Sequence, residues 1–195
     1  MVDWDDKFPS SLHIDIEELT ADMILEKFGH PDVIWIAPDC RTYSIAAISH
    51  HRRKNPDTGY LEPISEYAKK CDRVNWHIMN LIKELNPKVF YIENPRSAYR
   101  KMPWIQNIPR YTITHCQYSL DLPPDKRRAK PTDIFTNHPN PKFRRPCKNG
   151  SPCHVAAPRG SKTGTQGLKN ATERAMYPKA FCEHIVTISE EVVND

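Results

Sequence analysis

The sequence predicts an α/β fold organised on a strand–helix–strand unit with parallel strands. Three observations carry this. Residues 33–37, Val33-Ile34-Trp35-Ile36-Ala37, form a short run rich in β-branched and aromatic side chains, the pattern of a strand buried on both faces. Residues 64–85 set Ile64, Tyr67, Ala68, Cys71, Val74, Ile78, Leu81, Ile82 and Leu85 at helical spacing along one stripe. Lys88-Val89-Phe90-Tyr91-Ile92 repeats the buried-strand pattern, and two such strands joined by a helix form a parallel crossover.

The other elements follow in order. Val2-Asp3-Trp4 reads as the end of a strand running into an acidic turn, and Leu12–Ile16 alternates briefly. Thr20 is placed to cap a helix over 21–28, with Met23, Ile24 and Phe28 on one face and Gly29 closing it. Residues 45–62 are polar and basic and are predicted to be mobile. Asn86-Pro87 stops the long helix. Tyr111–Cys116 is a third strand and Ile134–Thr136 a fourth. A last helix starts near Pro178, with Phe181, Cys182, Ile185, Val186 and Ile188 facing inward. The predicted organisation is a core over 1–136, a loop-rich segment over 137–172, and a helix over 173–195 that returns to the core.

A chain of 195 residues is long enough for one domain with a real core. Its formal charge of +4 is concentrated in Arg52-Arg53-Lys54, Lys126-Arg127-Arg128 and Arg144-Arg145. Such clusters suit phosphate backbones and equally suit solvated loops. The 18 prolines make the second half loop-rich. No apolar run approaches the ~20 residues of a membrane helix, so no membrane partner is expected. No leader pattern opens the chain, and the 6 cysteines are irregularly spaced, which argues for the cytoplasm over a disulfide framework.

Two predicted strand ends carry reactive groups. Cys40 follows Pro38-Asp39 after the first strand, and Glu93 follows the second. Chemistry in open α/β sheets gathers at the carboxyl ends of strands. A thiolate attacks soft electrophilic carbon and a nearby carboxylic acid supplies a proton. The bland alternatives are an incidental cysteine and a carboxylate capping a turn. A second group, His138, Cys147, Cys153 and His154, offers four ligands of the kind zinc prefers, with Cys116 a possible substitute for one of them. Arg159–Gly167 fails as a phosphate loop, because its lysine does not follow the second glycine and no buried strand precedes it.

These residues carry a resemblance. Pro38-Asp39-Cys40-Arg41-Thr42-Tyr43-Ser44 resembles the Pro-Cys-Gln loop of DNA (cytosine-5) methyltransferases, and Glu93-Asn94-Pro95-Arg96 resembles their Glu-Asn motif in its phage form. Asp3-Trp4 and Asp15-Ile16 are similar to the pair of motifs that hold the adenosine of S-adenosylmethionine. Lys130–Asn137 is similar to the late arginine-motif region, and Arg174–Ile185 to the last motif. The resemblance spans nearly the whole chain in the family's order.

It implies a Rossmann-like class I methyltransferase sheet and methyl transfer to C5 of cytosine in double-stranded DNA through a Cys40 adduct. Glu93 and Arg128 are then expected to be catalytic. Asp3, Trp4, Asp15, Ile16 and Pro38 would bind the cofactor, and Arg41, Ser44, Asn94, Pro95, Arg96 and Lys130 the substrate. Three departures stand out. The family's first strand and Gly-rich turn are not matched; they are expected ahead of Met1 or from a separate chain. Asp39 and Arg41 replace Pro and Gln around the cysteine, with opposite effects on the thiol. Asp133 stands where relatives carry a base. The alternative is an inactive truncated homologue that binds DNA or a partner.

Overall fold

The computed structural model describes residues 1–3, 9–148, 150–156, 173 and 175–194. The predicted Trp4, the 159–167 loop and Arg174 lie outside the described residues.

The strands are β1 (Val2–Asp3), β2 (Leu12–His13), β3 (Val33–Ile36), β4 (Arg52–Lys54), β5 (Leu61–Pro63), β6 (Val89–Pro95), β7 (Arg110–Thr114) and β8 (Pro131–Thr136). The helices are α1 (Ala21–Phe28), α2 (Ile48–His51), α3 (Glu66–Leu85) and α4 (Lys179–Val193). The main sheet is four-stranded in the order β3-β6-β8-β7. β3 and β6 are parallel, as the crossover through α3 requires, while β8 is antiparallel to both β6 and β7. β1 and β2 form a separate parallel pair. The architecture is mixed α/β.

Local chemistry sets the helix ends. The Thr20 hydroxyl accepts from the Met23 N–H and caps α1. Ser65 caps α3 in the same way through the Ala68 N–H. Asn86 ends α3 in the left-handed region at φ 43°, with its N–H on the Ile82 carbonyl.

Alternation along β6 sorts its side chains into two layers. Phe90 and Ile92 pack with Cys71, Ile78 and Ile82 of α3. Val89 and Tyr91 pack with Phe181 and Ile188 of α4. A strand with period two facing helices on both sides has to be apolar throughout, which is why Val89–Ile92 reads as a continuous run. Glu93 continues the α4-side parity and Asn94 the α3-side parity. The Asn137 side chain extends the sheet's pairing, accepting from Phe90 N–H at 2.8 Å and donating to the Lys88 carbonyl at 3.3 Å.

Several expectations are corrected. β3 lies at the sheet edge and is only part-buried, with Val33 37% exposed. Its apolar run reflects contacts on both faces, not burial at its open edge. Residues 45–62 are ordered as α2 and the β4–β5 hairpin. The helix starts at Glu66, leaving Ile64 exposed. Of the five α4 residues predicted to face inward, Cys182 and Val186 are exposed, while Phe181, Ile185 and Ile188 turn inward. The third strand ends at Thr114, and His115–Tyr118 form a tight 3-10 turn.

Candidate active site

The parallel register pairs Ile36 with Ile92. Cys40 therefore leaves β3 beside the point where Glu93 continues β6. Cys40 is half-buried and precedes a 3-10 turn over Arg41–Tyr43, closed by the Tyr43 N–H on the Cys40 carbonyl at 3.1 Å. The loop is held from several directions. Asn94 Nδ2 donates to the Pro38 carbonyl at 3.2 Å. Asp39 accepts from the Arg41 guanidinium at 2.5 Å, from the Arg41 N–H at 2.8 Å and from the Tyr67 hydroxyl.

Behind the loop lies a polar network around Arg52, a residue whose cluster suited a phosphate backbone or a solvated loop by charge patterning alone. The Arg52 side chain is fully buried. It donates to the Thr42 carbonyl at 3.1 Å, the Thr42 hydroxyl at 3.0 Å and both Asp72 oxygens at 2.6 and 3.0 Å. Its guanidinium carbon sits 4.1 Å from the centre of the Tyr43 ring. Tyr43 donates to Asp72, and Asn75 bridges Tyr43 to Tyr99. All members are satisfied, as a buried network requires.

Glu93 is 4% exposed. One of its oxygens accepts from the Tyr177 hydroxyl at 2.8 Å, and the other, Oε1, is buried without a partner among the described residues. Burial raises the Glu93 carboxyl above the ordinary carboxylate range, against the pull of Tyr177 and Lys130. Burial also raises the Cys40 thiol, and the charges of Asp39 and Glu93 push the same way. The thiol is thus raised, with burial the largest cause and Asp39 next, while Lys130 pulls the other way. Lys130 is buried too, at φ 24°, with its ammonium 5.3 Å from the Tyr177 ring centre. Its desolvation lowers its own basicity. Its backbone is fixed on both sides: His115 N–H bonds the Ala129 carbonyl and Arg96 N–H bonds the Pro131 carbonyl. A non-glycine residue at positive φ persists where its surroundings over-determine it. His115, which burial lowers to about 3, is neutral beside it.

Cys40, Glu93, Lys130 and Tyr177 thus share one electrostatic environment: a thiol, a buried acid, a cation and a phenol. Tyr177 was not foreseen; a single tyrosine ahead of an amphipathic helix carries no spacing signal. It is placed by Trp35 and Phe181, whose rings lie 5.7 and 6.0 Å away. A cleft of about 340 Å³ opens between Tyr177, His115, Lys126 and Arg128.

The remaining predicted residues divide. Pro95 is half-buried, Ser44 lies at the loop's end and Arg96 is exposed. Arg128 is half-buried, with Nε buried and without a protein partner. Asn94 is fully buried and bonded to Pro38 and Ser97; it positions the loop and is not open to substrate. Arg41 is exposed but its charge is engaged by Asp39. Asp133 is held by Arg100 and Thr112. Asp3 ends β1 and Asp15 follows β2 by two residues, while Ile16 packs on the cluster of Leu19, Ala21, Leu81 and Leu85. Asp15 accepts from Lys70 at 2.6 Å and from the Glu17 N–H. Of the basic clusters, Arg52, Arg127 and Arg144 serve the structure: Arg127 donates to the carbonyls of Leu120, Leu122 and Cys153, and Arg144 to that of Gln117.

His138 is corrected as a metal ligand. It is buried, its Nε2 bonds the Ile188 carbonyl at 2.9 Å and its Nδ1 accepts from Asn140. The structure brings Cys147, Cys153 and His154 to Cys116 instead.

No protein-family model matches the chain. It is 29% identical over 181 residues to the probable DNA (cytosine-5)-methyltransferase of Frog virus 3 (isolate Goorha), covering 86% of this chain and 78% of that protein. Among solved structures it is similar to the S. pombe Dnmt2 methyltransferase, with a TM-score of 0.35 and 16% identity over 63% of this chain and 35% of that one. The chain spans about a third of that protein's length.

Proposed function

We propose that this chain is a DNA (cytosine-5) methyltransferase-like protein whose reacting groups are Cys40 and Glu93, with the sheet equivalent to a Rossmann-like methyltransferase core. The observation that carries the reading is the buried, unpartnered Oε1 of Glu93 beside the half-buried Cys40 thiol. The similarity to the Frog virus 3 protein supports it over most of the chain.

The chemistry follows from the groups. A cytosine reaches such a site only if turned out of its duplex. The Cys40 thiolate forms a bond to C6 while the C5–C6 electron pair moves toward N3. Glu93, whose carboxyl burial raises above the ordinary range, gives a proton to N3, so that the ring accepts the thiolate without building full negative charge. Lys130 stands where it can hold the ring oxygen, and Tyr177 holds the Glu93 carboxyl in place. The resulting enamine makes C5 nucleophilic. In the donor-free exchange reaction C5 takes a proton from water; loss of its original proton to water and departure of the Cys40 thiolate then restore the ring, and Glu93 recovers its proton from N3. Arg96 and Arg128 are the proposed contacts to DNA phosphate, with Ser44 and Pro95 at the edge of the base site.

S-adenosylmethionine, when bound, supplies an electrophilic methyl group to that carbon. Asp3 at the end of β1 and Asp15, two residues beyond the parallel β2, are the groups that would hold its adenosine half, with Ile16 and Pro38 the proposed apolar contacts. Its methionine half needs a close backbone approach; the described glycines, Gly29, Gly59 and Gly150, have open space where a Cβ would stand and do not supply one. A second reading is that the chain binds DNA without completing methyl transfer.

Exchange of tritium from C5 of labelled cytosine in duplex DNA tests the addition step without any methyl donor. Release into water is expected from the wild type and lost in Cys40→Ala. Release unaffected by Cys40→Ala would defeat the reading. Calorimetry with S-adenosylmethionine separates the two readings: measurable heat supports transfer, and none at millimolar ligand supports the binding module.

A further inference from the structure

We infer that Cys116, Cys147, Cys153 and His154 form a closed zinc site that clamps residues 147–155 onto the turn following β7. The inference stands independently of the proposed methyl transfer.

Four ligand atoms, three Sγ and one Nδ1 or Nε2, lie within 4.8 Å of one another. Cys116 Sγ is 3.3 Å from Cys147 Sγ and 3.6 Å from Cys153 Sγ. His154 Nδ1 is 3.3 Å from Cys153 Sγ and 3.9 Å from Cys147 Sγ. With Zn–S of about 2.3 Å and Zn–N of about 2.0–2.1 Å, a tetrahedron has S–S edges of about 3.8 Å and S–N edges of about 3.6 Å. The two S–S distances are somewhat shorter than that edge, at 3.3 and 3.6 Å, and the two S–N distances, 3.3 and 3.9 Å, bracket theirs. A disulfide would need about 2.05 Å between one pair of sulfurs and would leave the third thiol and the imidazole unexplained. No oxygen ligand belongs to the cluster, which disfavours magnesium and calcium. Three thiolates and an imidazole fill all four positions, the arrangement of structural zinc.

The surroundings are built for a clamp. Cys116 is fully buried in the His115–Tyr118 turn. The Cys147 N–H donates to Thr114 Oγ1 at 2.9 Å, and the chain reverses between the two distal cysteines through Gly150 at φ 79°. Val155 N–H bonds the Pro124 carbonyl, and Arg127 donates to the Cys153 carbonyl. Residues 137–148 and 150–156 contain no helix or strand, so they have little regular structure of their own to fix them. Metal binding supplies that fixation as folding free energy. The clamp also holds the carbonyl that fixes Arg127, next to Lys126 and Arg128 at the cleft.

The test uses the full chain purified under reducing conditions without chelator. One zinc per chain is expected, released in step with mercurial titration of three thiols. Cobalt exchanged into the wild type should give the strong visible bands of a tetrahedral thiolate site. His154→Ala and Cys147→Ser should lose stoichiometric metal, while Cys182→Ser, which removes an exposed cysteine outside the cluster, should retain it. Because the cobalt spectrum is read on the wild type, a variant that fails to fold does not decide the matter. Substoichiometric zinc with no thiolate–cobalt bands, iron in place of zinc, a disulfide between two of the three cysteines, or equal metal loss in Cys182→Ser would overturn the inference.

Discussion

Replacing Arg52 with Met tests whether the first basic cluster serves the fold or the DNA. Its guanidinium is buried, donates twice to Asp72 and twice to Thr42, and lies over Tyr43. Removing one partner of a buried ion pair costs roughly 3–5 kcal/mol. The Asp72 side chain is 15% exposed and keeps the Tyr43 hydroxyl, so the low end, about 3 kcal/mol, applies. In a domain of this size that lowers Tm by roughly 6–12 °C. Urea unfolding of Arg52→Met, Asp72→Leu and the double variant provides the assay. The double variant should recover much of the loss, since it leaves no unpaired buried charge. Alkylation of Cys40 should quicken in Arg52→Met as the Thr42–Tyr43 support loosens. A stability loss under about 1 kcal/mol, together with a salt dependence of DNA binding reduced by about one phosphate contact, would refute the structural assignment.

Three further outcomes are expected. Glu93→Gln should slow C5 tritium exchange by roughly 10²–10⁴-fold, the usual worth of a positioned proton donor. It should also change the pH dependence of stability. Burial raises the folded-state value above the unfolded one, so the contribution of Glu93 is complete below the unfolded value and is lost as pH rises through the folded one. The Gln variant should therefore be more stable than wild type at neutral pH, with the advantage gone below about pH 4; an advantage that grows on acidification would contradict the burial argument. Cys40 should react with iodoacetamide with a midpoint above that of a free thiol, because burial and Asp39 and Glu93 all raise it. Asp39→Asn should lower that midpoint, and a rise would refute the role of the Asp39 charge in raising it. Asn94→Ala removes a buried bond to the Pro38 carbonyl and should cost about 1 kcal/mol while increasing Cys40 alkylation; unchanged alkylation would mean the loop is held without it.

The sequence alone determined the elements whose signal is periodic or local. Helical spacing marked α3, apolar runs marked β3 and β6, Thr20 and Asn86-Pro87 marked helix ends, and the two strand ends placed Cys40 and Glu93. Tertiary structure decided every question of partnership, because a side chain's charge or ligand type does not say what it faces. Arg52 reads as a solvated cation until Asp72 and Thr42, far along the chain, close around it. His138 and Cys116 read alike as ligands until packing turns one to the Ile188 carbonyl and the other to Cys147. Only the folded sheet shows that parity along β6 sends Glu93 toward Tyr177 and Asn94 toward Pro38. Burial then raised the carboxyl of one residue and made its neighbour a brace.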